Sequence, residues 1–324
     1  MIPDILFTYW EGNNLSYFNY LTILSLHTYN PAKNIIIYTS KTNSQTLVSW
    51  RSNEHTVPIE YRLTLNDIQQ ISQDHITIIP IDFDTSYLLD NNLSCVFKAD
   101  IIRIYKLHEH GGMWFDFDIL FIKPIPAHIF NSEDIDFMYY VYHGVIPTGL
   151  LISTPNNRVT KIMYHNARTL VAKLAKNSRK TRYQLFGPEL WSNSILNAIK
   201  SKPYEQELSV NGILSTAKLL DTAEIYPYLY DELEQLYNTT TSPETAKITD
   251  TTWGIHWYNG AAETKHFINN YCKTQEPVQS IMHKYITQIL TDAGKLRPVL
   301  RLIQLHPATR IPGDMPVTPA LSTD

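Results

Sequence analysis

Asp116 and Asp118 are the residues best suited to do chemistry. They interrupt an apolar, aromatic run, Met113-Trp114-Phe115-Asp116-Phe117-Asp118-Ile119-Leu120-Phe121-Ile122. The composition of that run predicts a single strand, and its period of two then turns both carboxylates to one face. Two like charges side by side repel each other and lose hydration, which costs stability. A divalent cation removes the conflict, because Mg²⁺ or Mn²⁺ takes oxygen ligands and completes its shell with substrate phosphate oxygens. A metal held there can neutralise a leaving diphosphate.

A second charged pair lies just upstream. Asp100 and Arg103, three apart, share the one polar stripe of a helix predicted from Ser94 to His110, whose other faces carry Cys95, Ala99 and Ile102, and Phe97, Ile101 and Ile104. On a surface helix such a pair adds a few tenths of a kcal/mol. On a buried helix it is costly without further polar partners, which favours a ligand. Near the other end of the chain, His256-Trp257 offers an imidazole suited to Mn²⁺ and an indole N–H able to donate to a phosphate oxygen. A hydrogen-bonded core histidine beside a packing tryptophan fits those two residues equally well. Gly187-Pro188-Glu189 reads as a helix start or a substrate loop.

These groups need elements to hold them. Ile2 to Trp10 reads as a strand ending at Glu11-Gly12, Leu15 to Tyr29 as a helix closed by Asn30-Pro31, and Ile35 to Tyr38 and Ile76 to Ile81 as strands buried on both faces. Gly111-Gly112 ends the helix that carries Asp100 and Arg103. Strands at 137–142 and 149–153 and helices over 158–174, from Pro188 and over 278–290 follow. This order predicts an α/β fold, a mixed, mostly parallel sheet flanked by helices, in one domain over 1–294 with a proline-containing tail over 295–324.

The 324 residues are 44% hydrophobic and 18% charged with a formal net charge of -4, which gives no basic surplus for gripping nucleic acid. Cys95 and Cys272 follow no zinc spacing and are expected to be reduced thiols. With neither a signal-like start nor an apolar stretch long enough to span a bilayer, the expected location is cytoplasmic.

The run Lys98-Ala99-Asp100-Ile101-Ile102-Arg103-Ile104-Tyr105-Lys106-Leu107, followed by Gly111-Gly112-Met113-Trp114-Phe115-Asp116-Phe117-Asp118, closely resembles the sugar-binding region of the DXD glycosyltransferases. That group includes initiating α-1,6-mannosyltransferases, globoside α-galactosyltransferases and capsular polysaccharide enzymes, and its signature is shared by the clostridial glucosylating toxins. The opening Ile2-Pro3…Tyr9-Trp10-Glu11-Gly12 and Asn30-Pro31 also resemble this group; beyond Pro124 the resemblance thins to Gly149-Leu150, Gly187-Pro188 and Gly254-Ile255-His256-Trp257.

The resemblance implies a Rossmann-like GT-A domain and a retaining transfer of a hexose from a nucleotide sugar, a UDP-sugar in most such families. It implies Mn²⁺ or Mg²⁺ as cofactor and a glycan, lipid-linked or protein hydroxyl as acceptor. Trp10 would stack on the base, with Thr8, Tyr9 and Lys98 beside it. Asp100 and Arg103 would bind ribose and sugar hydroxyls, Asp116 the ribose and the metal's water shell, and Asp118 the metal directly. Trp114 stands where the toxins carry tyrosine and Thr148 where many relatives carry asparagine. Trp257 joins the donor-binding set and His256 the metal set. A haloacid-dehalogenase-type phosphatase also uses Asp-x-Asp, but needs threonine or valine where Leu120 stands and places the motif near its start. A metal-dependent nucleotidyltransferase and a non-catalytic carbohydrate-binding module stay open beside the transferase.

Overall fold

A computed structural model describes residues 1–41, 61–87, 93–176, 185–200, 216–237, 247–274 and 280–294. The sequence alternates strands and helices from the start. Strand β1 (Ile5–Trp10), the short β2 (Asn14–Ser16), helix α1 (Tyr17–Tyr29), β3 (Asn34–Ser40), β4 (Tyr61–Thr64), α2 (Leu65–Gln69), β5 (Ile76–Ile81) and α3 (Phe83–Tyr87) build the first part. Then come α4 (Cys95–Glu109), β6 (Gly112–Phe115), β7 (Ile119–Phe121), α5 (His128–Asn131), β8 (Phe137–Tyr139), β9 (Leu150–Ser153), α6 (Arg158–Lys176) and α7 (Pro188–Lys200). The last part holds β10 (Ala217–Leu219), α8 (Leu233–Tyr237), β11 (Gly254–His256), α9 (Ala262–Thr274) and α10 (Ile281–Asp292).

Seven strands form the main sheet in the order β10-β8-β9-β6-β1-β3-β5. β6, β1, β3 and β5 run parallel, β8 and β10 run parallel to each other, and β9 is antiparallel to both its neighbours. The sheet is therefore mixed and mostly parallel, as the order of strands and helices in the sequence predicts. Alternate residues of β1 enter different cores: Leu6 joins the cluster packed against α1, while Phe7 and Tyr9 join the one packed against α4. Both faces are thus covered, which is why β1 and β3 read as near-continuous apolar runs.

One strand is not as the sequence suggests. The run from Met113 to Ile122 is broken: β6 ends at Phe115, the chain turns through Asp116-Phe117-Asp118, and β7 leaves the main sheet to pair antiparallel with β11. The apolar pattern conceals the turn because Phe117 is itself buried. The turn is fixed by distant partners. The Asn19 side-chain amide at the start of α1 donates to Phe117 O at 3.0 Å, and Trp257 N donates to Asp118 O at 2.9 Å. The tail beyond 294, the segment around 177–184 and residues 278–279 of the predicted closing helix lie outside the described residues.

Candidate active site

Helix α4 delivers the first group of side chains. The Ser94 hydroxyl caps its first turn, and its end is closed by Gly111, whose positive φ of 68° suits glycine. Gly112, at φ 94°, lies so close to β1 that a Cβ there would meet Ile5 O at 2.4 Å. This tight packing holds the start of β6 against β1. On α4, Lys98, Asp100 and Arg103 are all buried.

Arg103 is the hub. One guanidinium nitrogen donates to Asp100 Oδ1 at 2.5 Å, another to Asp116 Oδ1 at 2.8 Å, and the plane lies 4.6 Å from the Trp114 ring centre. Trp114 adds its indole N–H to Asp116 Oδ1 at 2.9 Å. The tryptophan standing in the place of the toxins' tyrosine thus orients the first aspartate of the motif. Burial pushes the Asp100 carboxyl up to about 7, more than the opposing pull of Arg103 can offset. Gly187, at the start of α7, packs on this carboxylate: a Cβ there would meet Asp100 Oδ2 at 3.0 Å. Any larger residue would crowd Asp100, which gives the Gly-Pro helix start a packing reason.

Lys98 does a related job one turn away. Its ammonium pairs with Glu11 Oε1 at 2.9 Å, and the Tyr9 hydroxyl donates to Glu11 Oε2 at 2.9 Å, tying the loop after β1 to α4. Trp10, at the C-terminal end of β1, is half-buried, rests on Phe117 with ring centres 5.1 Å apart and donates its indole N–H to Asn14 O. Thr8 is fully buried with its hydroxyl unpartnered among the described residues.

The second group forms where β11 meets the turn. His256 Nε2 lies 3.2 Å from Asp118 Oδ1, and Asn259 N donates to Asp118 Oδ2 at 2.9 Å. Burial raises the Asp118 carboxyl, but the His256 charge and hydrogen bond and the Asn259 amide outweigh it, so the net shift is downward. His256 is the mirror case: burial lowers it, and Asp118 and Asp116 carry it above its ordinary value. Asp116 is raised, first by burial and then by Asp118, against the pull of Arg103; its side chain nonetheless stays 29% exposed, open to a ligand.

Asp116, Asp118 and His256 each aim one ligand atom into the same space, with all three atoms within 4.8 Å of one another. Two carboxylate oxygens and an imidazole nitrogen suit Mn²⁺ or Mg²⁺. The anionic pair is the clash that a cation relieves, so these residues fit one. Trp257 does not share that space. It is fully buried and gives its indole N–H to Thr22 Oγ1 at 3.2 Å, the packing role that the sequence left open beside a phosphate contact.

Two residues without a motif join the cluster. The Tyr226 ring lies 5.2 Å from that of His256, and its buried hydroxyl has no partner among the described residues. The Asn259 side-chain oxygen Oδ1 is likewise buried with no partner among the described residues. Gly149 is held between Tyr226 and the motif: its carbonyl accepts from Asp116 N at 2.7 Å, and a Cβ would meet Tyr226 Oη at 2.6 Å and Asp116 Oδ2 at 3.1 Å.

The sequence model of the capsular polysaccharide synthesis proteins matches residues 61–169. That span contains α4, the Gly-Gly turn, Asp116 and Asp118, and it bears out the resemblance read from those residues. No curated protein is found similar in sequence. Solved structures similar to the chain include the PaToxG glycosyltransferase (17% identity, 66% of this chain and 78% of that one, TM-score 0.40). The galactosyltransferase LgtC in complex with donor and acceptor sugar analogues is similar over 90% of this chain and 96% of its own (10% identity, TM-score 0.39). The glycosyltransferase GlyE of Streptococcus pneumoniae TIGR4 is similar over 95% of this chain and 66% of its own (11% identity, TM-score 0.44). Likeness at this level bears on neither substrate nor mechanism.

Proposed function

We propose that the chain is a metal-dependent, retaining glycosyltransferase that moves a hexose from a nucleotide sugar, a UDP-sugar, to a hydroxyl of a glycan, lipid-linked or protein acceptor. The observation that carries this reading is the convergence of Asp116, Asp118 and His256 beside Arg103, beyond the C-terminal ends of the parallel strands. That edge is where open α/β sheets bind their ligands.

Asp118 and His256 would hold Mn²⁺ or Mg²⁺, with Asp116 completing the set directly or through water. The ion would supply positive charge to the leaving diphosphate. Arg103 and Trp114 fix Asp116 so that it does not reorganise when the donor arrives. Asp100, held by Arg103, is placed to accept hydrogen bonds from ribose or sugar hydroxyls. Trp10 offers an indole face to the base at the end of β1, with Tyr9, Glu11 and Lys98 holding the loop that follows. The capsular polysaccharide match favours a glycan acceptor and a place in polysaccharide synthesis. Among the described residues no helix is long and apolar enough to cross a membrane.

A screen of nucleotide sugars with Mn²⁺, read as released nucleotide and followed by the anomeric configuration of the product, tests this reading. UDP release from a UDP-hexose that stops on adding a chelator is the expected result. Trp10→Ala should weaken UDP binding by about 1–3 kcal/mol while the fold survives, as loss of a stacked base predicts. Release of pyrophosphate from a nucleoside triphosphate would make the chain a nucleotidyltransferase instead. If no nucleoside diphosphate binds with Mn²⁺ present, the transferase reading fails.

A further inference from the structure

The chain between β8 and β9 makes a two-residue hairpin beside the site. Tyr142 and Val145 exchange backbone hydrogen bonds at 2.8 and 2.9 Å around His143 and Gly144. Both central residues have positive φ, 47° at His143 and 73° at Gly144, the geometry of a type I′ turn. Histidine in this region carries backbone strain, which persists only where the surroundings enforce it. Here the return arm is anchored: Ile146 is buried and its N–H donates to Ser192 Oγ of α7 at 3.0 Å. Three residues later the same arm reaches Gly149, whose carbonyl accepts from Asp116 N.

The turn is rigid at its base and bare at its tip. Tyr142 is 38% and Val145 43% exposed, and a Cβ added to Gly144 would meet nothing. The Tyr142 ring takes the His143 ring edgewise at 4.2 Å, which leaves ring area facing outward. β8 runs in the same sense as β6, since both are antiparallel to β9. The hairpin therefore emerges at the sheet edge that carries Asp116 and Asp118. Tyr142 lies within electrostatic reach of Tyr258, whose ring touches that of His256 at 4.2 Å.

Trp10 and the loop after β1 lie three strands along the sheet from β8, beyond β9 and β6. A transfer site needs a second substrate, and the hairpin is the aromatic surface on the side opposite Trp10. We propose that Tyr142 is a platform for the acceptor: a pyranose ring stacks its apolar C–H face on the phenol while His143 takes a ring hydroxyl. A rigid, flat, amphipathic side chain gives contact area at low entropic cost. This proposal rests on the transferase reading, and its test separates the two.

The full chain, labelled with ¹³C in the tyrosine rings, is titrated with methyl glucosides, galactosides and mannosides and with lactose, maltose and cellobiose. Tyr142→Phe assigns the Tyr142 signal. At least one glycoside should shift that signal. Tyr142→Ala should weaken its binding on the order of tenfold, and Tyr142→Phe should retain it. Hydrolysis of the nucleotide sugar without acceptor should match the wild type in both variants. If no glycoside in the panel moves Tyr142, or if Tyr142→Ala binds as well as the wild type, the platform is refuted. Loss of self-association in Tyr142→Ala with unchanged glycoside binding would assign the patch to a second copy of the chain and also overturn it. A wild type that binds glycosides at Tyr142 yet releases nucleotide from no donor would sink the transferase reading and leave the platform standing.

Discussion

The site consists of two polar clusters that meet at the Asp-Phe-Asp turn, and they differ in how fully they are satisfied. On the α4 side, Asp100, Arg103, Trp114 and Asp116 bond to one another, and Arg103 Nε is their one fully buried side-chain atom without a partner among the described residues. On the β11 side, Asp118 and His256 pair, but His256 Nδ1, Tyr226 Oη and Asn259 Oδ1 are all buried with no partner among the described residues. Folded proteins rarely keep several such orphans together, since each carries its own desolvation cost. The first cluster is a brace complete in the protein alone. The second keeps buried bonding capacity that the described residues do not use.

The largest expected effect breaks the second cluster at its centre. Asp118→Ala removes a proposed metal ligand and leaves His256 without its counter-charge. Mn²⁺ affinity, measured by calorimetry, should fall on the order of a hundredfold, and metal-dependent nucleotide release should vanish. The folded protein should persist, because His256, once it loses its counter-charge, can shed its proton and stay buried as the neutral imidazole. Near wild-type Mn²⁺ affinity in this variant would remove Asp118 from the metal set.

Breaking the brace should show the opposite balance. Arg103→Ala leaves Asp100 buried and unpaired, and a buried pair cut in half costs about 3–5 kcal/mol. Denaturant unfolding should report that loss directly. An Arg103→Ala protein of unchanged stability but lost donor affinity would make Arg103 a pure ligand contact rather than a brace.

Asp100 gives the brace a signature in pH. Its folded value is raised from 3.8 to about 7, so the folded protein holds a proton there more tightly than the unfolded chain does. The associated stability is fully present below the unfolded value and is lost as pH rises through the folded one. Asp100→Asn lacks this term. The melting temperature of the wild type should therefore fall relative to Asp100→Asn between about pH 4 and pH 7 and run parallel to it above that. A difference flat across that window would show that the carboxyl stays ionised and that the pair with Arg103 dominates burial.

The same contrast explains what was legible in the sequence. The brace lies on one helix, one Gly-Gly turn and one short strand, so local periodicity and spacing bring Asp100, Arg103 and Asp116 into view, and the family resemblance adds Trp114. The second cluster is assembled from afar. Asp118 sits in a turn rather than a strand because Asn19 and Trp257 hold the backbone there, and no local pattern reveals partners so distant. His256 could be picked out as an imidazole with metal chemistry, yet its indole neighbour proves to be bonded to Thr22, 235 residues away. Tyr226 and Asn259 left no mark at all. A tyrosine before a proline and an asparagine before a glycine look like ordinary loop residues until the fold buries their polar atoms beside Asp116 and Asp118.

Tyr226→Phe gives the smallest effect and the sharpest test of the comparison. The substitution removes one oxygen and keeps the ring that packs against Tyr140 and His256. Deleting a satisfied hydroxyl costs about 1 kcal/mol, whereas deleting a buried one without a partner lifts a desolvation penalty and is neutral or stabilising. In the metal-free, substrate-free protein Tyr226→Phe should therefore melt at the wild-type temperature or up to about 2 °C above it. Trp114→Phe, which removes a bonded N–H from the completed brace, should melt lower. If the phenol finds its acceptor only once metal and donor fill the cluster, Tyr226→Phe should weaken donor turnover even as it leaves the empty fold intact. A stability gain joined to an activity loss is what a polar group retained for function predicts. A clear drop in melting temperature would mean that the hydroxyl is already bonded in the folded chain, and the second cluster would then be no less complete than the first.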